Sequence, residues 1–223
     1  SIPYIPAGIA ANLVQIIDRP ILKYLTDDKT VGIYTANYKL GIFMMLVVSM
    51  FEFAWRPFFL NNAKEPDAKN LFSKILTIFV LVASFLFLVI SFFISDIVKM
   101  DLPFNIHLIG KAYWTGLEIV PVILFSYLLY GMYVNFMAGI YIEKKTKYLP
   151  LITGLGAAAN IISNFILIPK LSYMGAAIST LISYAVMMIG IYLVSQKFYK
   201  INYENKKIGL IFFIIFSFMG GYM

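Results

Sequence analysis

Cysteine is absent from the 223 residues, histidine occurs once, and only 13% of positions are charged. Without cysteine the chain can form no disulfide, thiolate metal site or thiol nucleophile. The single histidine, His107, rules out histidine-clustered metal sites. It reads as a solvated residue of a polar segment. No Ser-His-Asp set and no glycine-rich phosphate loop is present. The glycines of "TGLGAAAN" lie inside an apolar run, where close helix contact is the expected use. Soluble domains carry about a quarter charged residues, so a charge content of 13% excludes an ordinary soluble domain. Alternation at the strand period is also missing.

What the chain has instead is apolar length. Hydrophobic residues make up 61%, aromatic residues 17%, and 16 positions are tyrosine. The aromatics suit interfacial belts. Exposed backbone polar groups are not tolerated in lipid, so apolar runs this long predict helices. Six spans are expected: residues 3–25, 31–60, 71–94, 116–142, 148–168 and 173–194. The mixed segment 95–115 is expected to hold a short interfacial helix. The closing run "IGLIFFIIFSFMGGYM" covers about 24 Å, short of the roughly 30 Å hydrocarbon core. The opening "SIPYIPAGIA" lacks an initiator Met and a basic leader, unlike a signal peptide. Both ends therefore read as cut from a larger protein. Residues 1–197 are expected to form a six-helix transmembrane lobe, and residues 198–223 a basic linker with the start of a further span. The fold class is all-α, a polytopic helix bundle.

Orientation follows from Lys and Arg. Arg56, Lys64, Lys69, Lys74, Lys144, Lys145, Lys147, Lys197, Lys200, Lys206 and Lys207 fall on one side. Lys23, Lys29, Lys99, Lys111 and Lys170 fall on the other. The richer side is expected to be cytoplasmic. This distribution accounts for the net charge of +7, with no nucleic acid as partner.

The polar residues inside the spans are the informative ones. In "NLVQIIDRPILKY", Asn12, Gln15, Arg19 and Lys23 are spaced 3, 4 and 4, on one helix face. Such a stripe should face protein or water, not acyl chains. Asp18 points about 100° away, near enough to soften the field of Arg19. Pro20 leaves the Ile16 carbonyl without its donor. Arg19 lies about 9 Å, and Lys39 about 12 Å, inside the outer ends of their spans. Cations held there call for a water-filled cavity or an anionic ligand; the competing reading is snorkelling to the interface. Further stripes are Gly41, Met45, Ser49, Glu52 and Arg56, with Glu52 and Arg56 a local ion pair. Thr153, Gly156, Asn160 and Asn164 form another, opposite Gly175, Ser179 and Ser183, and suit helix packing or cavity lining.

The stretch "EKKTKYLPLITGLGAAANIISNFILIPKLSYMGAAISTLISY", Glu143 to Tyr184, resembles the polysaccharide-biosynthesis flippases. These are the Wzx-type O-antigen and oligosaccharide-lipid transporters of the multidrug/oligosaccharidyl-lipid/polysaccharide exporter superfamily. The matching pieces are "KKTK", the paired Asn160 and Asn164, "LIPK" and "GAAIST". The stretch "DRPILKYLTDDKTVGIYTANYKLG" resembles the hairpin that opens their C-terminal half. Ser172 departs from the pattern, where family members carry glycine. So does length: members have two six-helix lobes, so the N-terminal lobe is expected to be missing.

The resemblance implies a multi-pass transporter of the bacterial inner membrane, not an enzyme. It would turn undecaprenyl-pyrophosphate-linked oligosaccharide to the outer leaflet by alternating access, without cofactor or metal. Its partners would be that lipid-linked substrate, membrane lipids and the missing lobe. Arg19 and Lys39 would then hold phosphate, Lys23 would be a looser partner, and Asn12, Gln15, Asn160 and Asn164 would bond sugar hydroxyls. Pro20 and Pro57 would supply bends. Two rivals remain. A cation-coupled drug exporter of the superfamily requires a buried carboxylate, and a membrane enzyme of glycan assembly would have to use His107 with Asp96 or Asp101.

Overall fold

A computed structural model describes residues 16–100 and 108–222. Seven α-helices follow one another: α1 (Asp18–Leu25), α2 (Asp28–Tyr38), α3 (Ile42–Asn62), α4 (Ala68–Lys99), α5 (Ile119–Ile142), α6 (Tyr148–Phe198) and α7 (Asn205–Tyr222). Short 3-10 turns occupy Lys39–Gly41 and Lys111–Gly116, and no strand occurs among the described residues. Among the described residues, four stretches are long and apolar enough to cross a membrane: Asp28–Asn62, Ala68–Lys99, Ile119–Ile142 and Tyr148–Phe198. The chain is therefore an all-helical membrane protein.

The second expected span is α2 and α3 joined through a 3-10 turn at Lys39–Gly41. Close packing explains a glycine there, because a Cβ on Gly41 would sit 2.4 Å from Ile123 Cγ2. Asp27 caps α2, accepting from the Thr30 amide at 2.7 Å. That backbone hydrogen bond holds its carboxyl below the usual carboxylate range. The third span is longer than the sequence suggests, and runs from Ala68 to Lys99. The expected interfacial helix is the 3-10 turn at Lys111–Gly116. The expected first span is described only from its outer end.

The turn expected at "PKLS" is present, but as a reversal made at a single residue. Helical geometry continues through Pro169, and only Ser172 departs, with φ 51° and ψ −132°. Contacts then run between the segments before and after that point. Ser183 Oγ donates to the Gly156 carbonyl at 2.8 Å. A Cβ on Gly175 would lie 2.6 Å from the Leu167 carbonyl, and one on Gly190 would lie 3.3 Å from Ile152. The halves 148–171 and 173–198 are thus an antiparallel hairpin. Small residues let their backbones touch.

Helix α5 is the centre of the bundle. From Met132 to Ile140 every residue is buried, against α6 on one side and α3 and α4 on others. Trp55 of α3 donates its indole N–H to the Asn135 carbonyl at 3.3 Å. Helix α7 packs on α4, and Phe212 and Phe216 meet Phe125 of α5 edge to face. Contacts also fix which segments share an end. Ser73 Oγ donates to the Asn202 carbonyl at 3.0 Å. The Lys145 ammonium lies over Phe198, and the Arg56 guanidinium over Tyr141. At the opposite end, Asn37 Nδ2 donates to the Tyr113 carbonyl and the Tyr173 hydroxyl to the Thr115 carbonyl. The two sets of cations separated by the sequence therefore occupy opposite ends of the bundle.

Candidate functional site

Near the end of the bundle opposite the cation-rich one, an acid is buried. Asp18, in the first turn of α1, is 1% exposed. Its carboxylate accepts from the Tyr34 hydroxyl at 2.8 Å, from Asn164 Nδ2 at 2.8 Å and from Thr180 Oγ1 at 2.6 Å. Asn164 Nδ2 also donates to Asn160 Oδ1 at 2.9 Å.

Helix geometry accounts for this meeting. Asn164 and Thr180 each stand eight residues from Ser172, so the hairpin brings both to a depth of about 12 Å. Tyr34 is six residues from the start of α2 and Asp18 seven from the end of α1, each about 10 Å from the same end. One acid thereby ties together α1, α2 and both halves of α6.

A buried charge requires partners, and Asp18 has three neutral donors. Among the described residues it has no Lys or Arg ion-pair partner. Among the described residues, Asn164 Oδ1 and Asn160 Nδ2 are buried beside it with no hydrogen-bond partner. The site thus offers carboxylate, amide and hydroxyl oxygens at one point. Such a set can hold a proton, or a monovalent cation, in exchange for the other. No group of three or more His, Cys, Asp or Glu suited to a metal ion occurs among the described residues.

Arg19 points elsewhere. Its guanidinium carbon lies 5.3 Å from the centre of the Tyr38 ring, within cation–π range. It is half-buried, and its Nε is buried without a partner. The Tyr38 hydroxyl meets that of Tyr127 at 2.8 Å. Tyr34 packs on Tyr38, Tyr127 on Tyr184, and Tyr184 on Tyr130. A column of tyrosines therefore runs on from Asp18 and Arg19.

The residues singled out in the sequence fare differently. Lys23 is exposed and paired with Asp28 at 3.0 Å. Lys39 is exposed on its 3-10 turn. Asn160 and Asn164 are fully buried. Glu52 and Arg56 form their expected pair at 3.1 Å. Thr153 and Ser179 bond their own helix, to the Leu149 and Gly175 carbonyls. Asp96 and Glu118 are exposed. Asn12, Gln15, Asp101 and His107 lie outside the described residues.

The sequence reading missed the centre of the site. It set Asp18 aside as off the polar face, and left Tyr34, Tyr38, Tyr127 and Thr180 unassigned. The available signal was a carboxylate within an apolar run, which is a functional position by default. No family model, curated protein or solved structure matches the chain.

Proposed function

We propose that the chain is the C-terminal half of a bacterial inner-membrane flippase. Its substrate is a polyprenyl-pyrophosphate-linked oligosaccharide, which it carries to the outer leaflet by alternating access. The observation that carries this reading is the division of labour between adjacent residues. Asp18 is the nearest carboxylate that could neutralise Arg19, yet it is engaged by Tyr34, Asn164 and Thr180. The charge of Arg19 is left on a tyrosine ring, half-open to its surroundings. A guanidinium without its own carboxylate, about 9 Å inside a span, suits an anion of matching geometry such as a phosphate. Low dielectric strengthens that attraction. Lys39, exposed on its turn, adds a second cation, and Lys23 a third nearer the surface. Asn160 and Asn164 enter this reading as groups that position Asp18, because their amides face it.

Asp18 also brings in the ingredient of the rival exporter reading, a buried carboxylate. In the proposed cycle it exchanges a proton or monovalent cation, so that its occupancy biases the hairpin of α6 against α1 and α2. A ligand shifts such an equilibrium only through its different affinity for the two states. The test is a flipping assay in proteoliposomes with the full-length protein and a lipid-linked oligosaccharide. Arg19→Ala should lose most of the rate. Asp18→Asn should retain substrate binding and lose dependence on an imposed ion or pH gradient. Wild-type rates for Arg19→Ala would remove Arg19 from the mechanism. Gradient-driven export of cationic drugs that Asp18→Asn abolishes would favour the exporter.

A further inference from the structure

At the cation-rich end, the α3–α4 turn and the connection from α6 to α7 enclose a polar cleft of about 320 Å³. Pro66 and Asp67 line it from the turn, Lys69 and Asn70 from the first residues of α4, and Lys200 and Asn202 from the connection. Lys200 and Asn202, on the strap from α6 to α7, also line a second cleft of similar size with Tyr192 and Tyr203.

The strap is held in place. Gln196 grips Ile201 twice, its Nε2 donating to the carbonyl at 2.8 Å and its Oε1 accepting from the amide at 3.0 Å. Ser73 of α4 donates to the Asn202 carbonyl. Tyr199 and Ile201 are buried, and the Lys69 ammonium lies 4.8 Å from the centre of the Tyr199 ring. Two lysines from elements far apart in sequence are thereby set on one opening.

Their charges are not taken up locally. Neither Lys69 nor Lys200 forms an ion pair among the described residues. Asp67 lines the cleft and receives Asn70 Nδ2 at 3.3 Å. Glu204 is paired with Lys207. The cleft therefore keeps a surplus of positive charge beside two carboxamides able to donate hydrogen bonds. It opens where α4 and α7 enter the apolar layer, and both helices expose apolar side chains beyond it, among them Ile78, Leu81, Leu210 and Phe213. A polar, cationic mouth continuous with apolar helix surface fits a molecule with a phosphate head and acyl tails. A free phosphate has no use for the apolar surface.

We propose that this cleft binds the phosphate headgroup of an anionic phospholipid, with Lys69 and Lys200 as its cationic clamp. The proposal does not depend on what the protein transports. It requires only that this end of the bundle lies at headgroup level.

Native mass spectrometry of the chain released from micelles with equal phosphatidylglycerol and phosphatidylcholine tests it. Wild type should retain phosphatidylglycerol in preference. K69Q/K200Q should lower its retention about twenty-five-fold, at roughly fivefold per lysine. K69R/K200R, which keeps both charges, should retain the lipid, and it decides the matter if the glutamine variant fails to fold. K144Q/K147Q removes two lysines from the same end without touching the cleft, and should leave retention near wild type. An equal loss in that variant, no preference in wild type, or displacement of the lipid by inorganic phosphate would overturn the assignment.

Discussion

Asp18 shows how little a helix wheel says about a residue whose partners are remote. On the wheel it lies off the stripe of Asn12, Gln15, Arg19 and Lys23, and Arg19 dominates the reading. In the fold its nearest polar atoms come from residues 16, 146 and 162 positions away. The energetics are unequal across these bonds. A neutral hydrogen bond between membrane helices is worth about 0.6 kcal/mol, whereas leaving a buried polar group unsatisfied costs about 1–3 kcal/mol, and more where it is charged. Asn164→Ala should therefore destabilise the protein by about 1–3 kcal/mol. Ser183→Ala, which loses only its bond to the Gly156 carbonyl, should cost about 0.6 kcal/mol. Unfolding midpoints in a mixed-micelle denaturant series compare the two. Equal effects would mean that Asp18 does not depend on its amide.

At the scale of elements, the α6 hairpin is decided at its apex. Ser172 holds φ 51° and ψ −132°, a region that favours glycine because a Cβ crowds the backbone there. Such strain costs on the order of 1–3 kcal/mol. Glycine, which has no Cβ, would occupy this region without that crowding. Ser172→Gly should raise stability by about 1 kcal/mol, read as a higher unfolding midpoint. A lower midpoint would mean that the serine side chain compensates for its backbone. The turn from α5 to α6 solves a similar problem with Lys144 at φ 54°. There the Lys145 amide reaches back to the Ile140 carbonyl at 2.9 Å and closes the helix end. Both turns bring small or amide-bearing residues into register, so that Gly156 meets Ser183 and Asn164 meets Thr180 across Asp18.

For the whole molecule, the distribution of cations makes a topological prediction. The absence of cysteine leaves a clean background for single-cysteine labelling with an impermeant maleimide. Lys64→Cys and Lys147→Cys should label only after the membrane is permeabilised, and Lys29→Cys from outside in intact cells. Labelling of Lys64→Cys in intact cells would invert the bundle, and with it the direction proposed for transport.

Helix content and membrane residence were legible in the sequence, because each follows from apolar length and from the cost of bare backbone in lipid. Those are local properties, written in consecutive residues. The same holds for the Glu52–Arg56 pair, one turn apart on a single helix. The tertiary structure alone decided where the buried acid stands, what holds it, and which charge beside it is left open. Burial and pairing there depend on side chains brought to a common depth by two separate hairpins. No periodicity within one helix encodes the distance between residue 18 and residue 180.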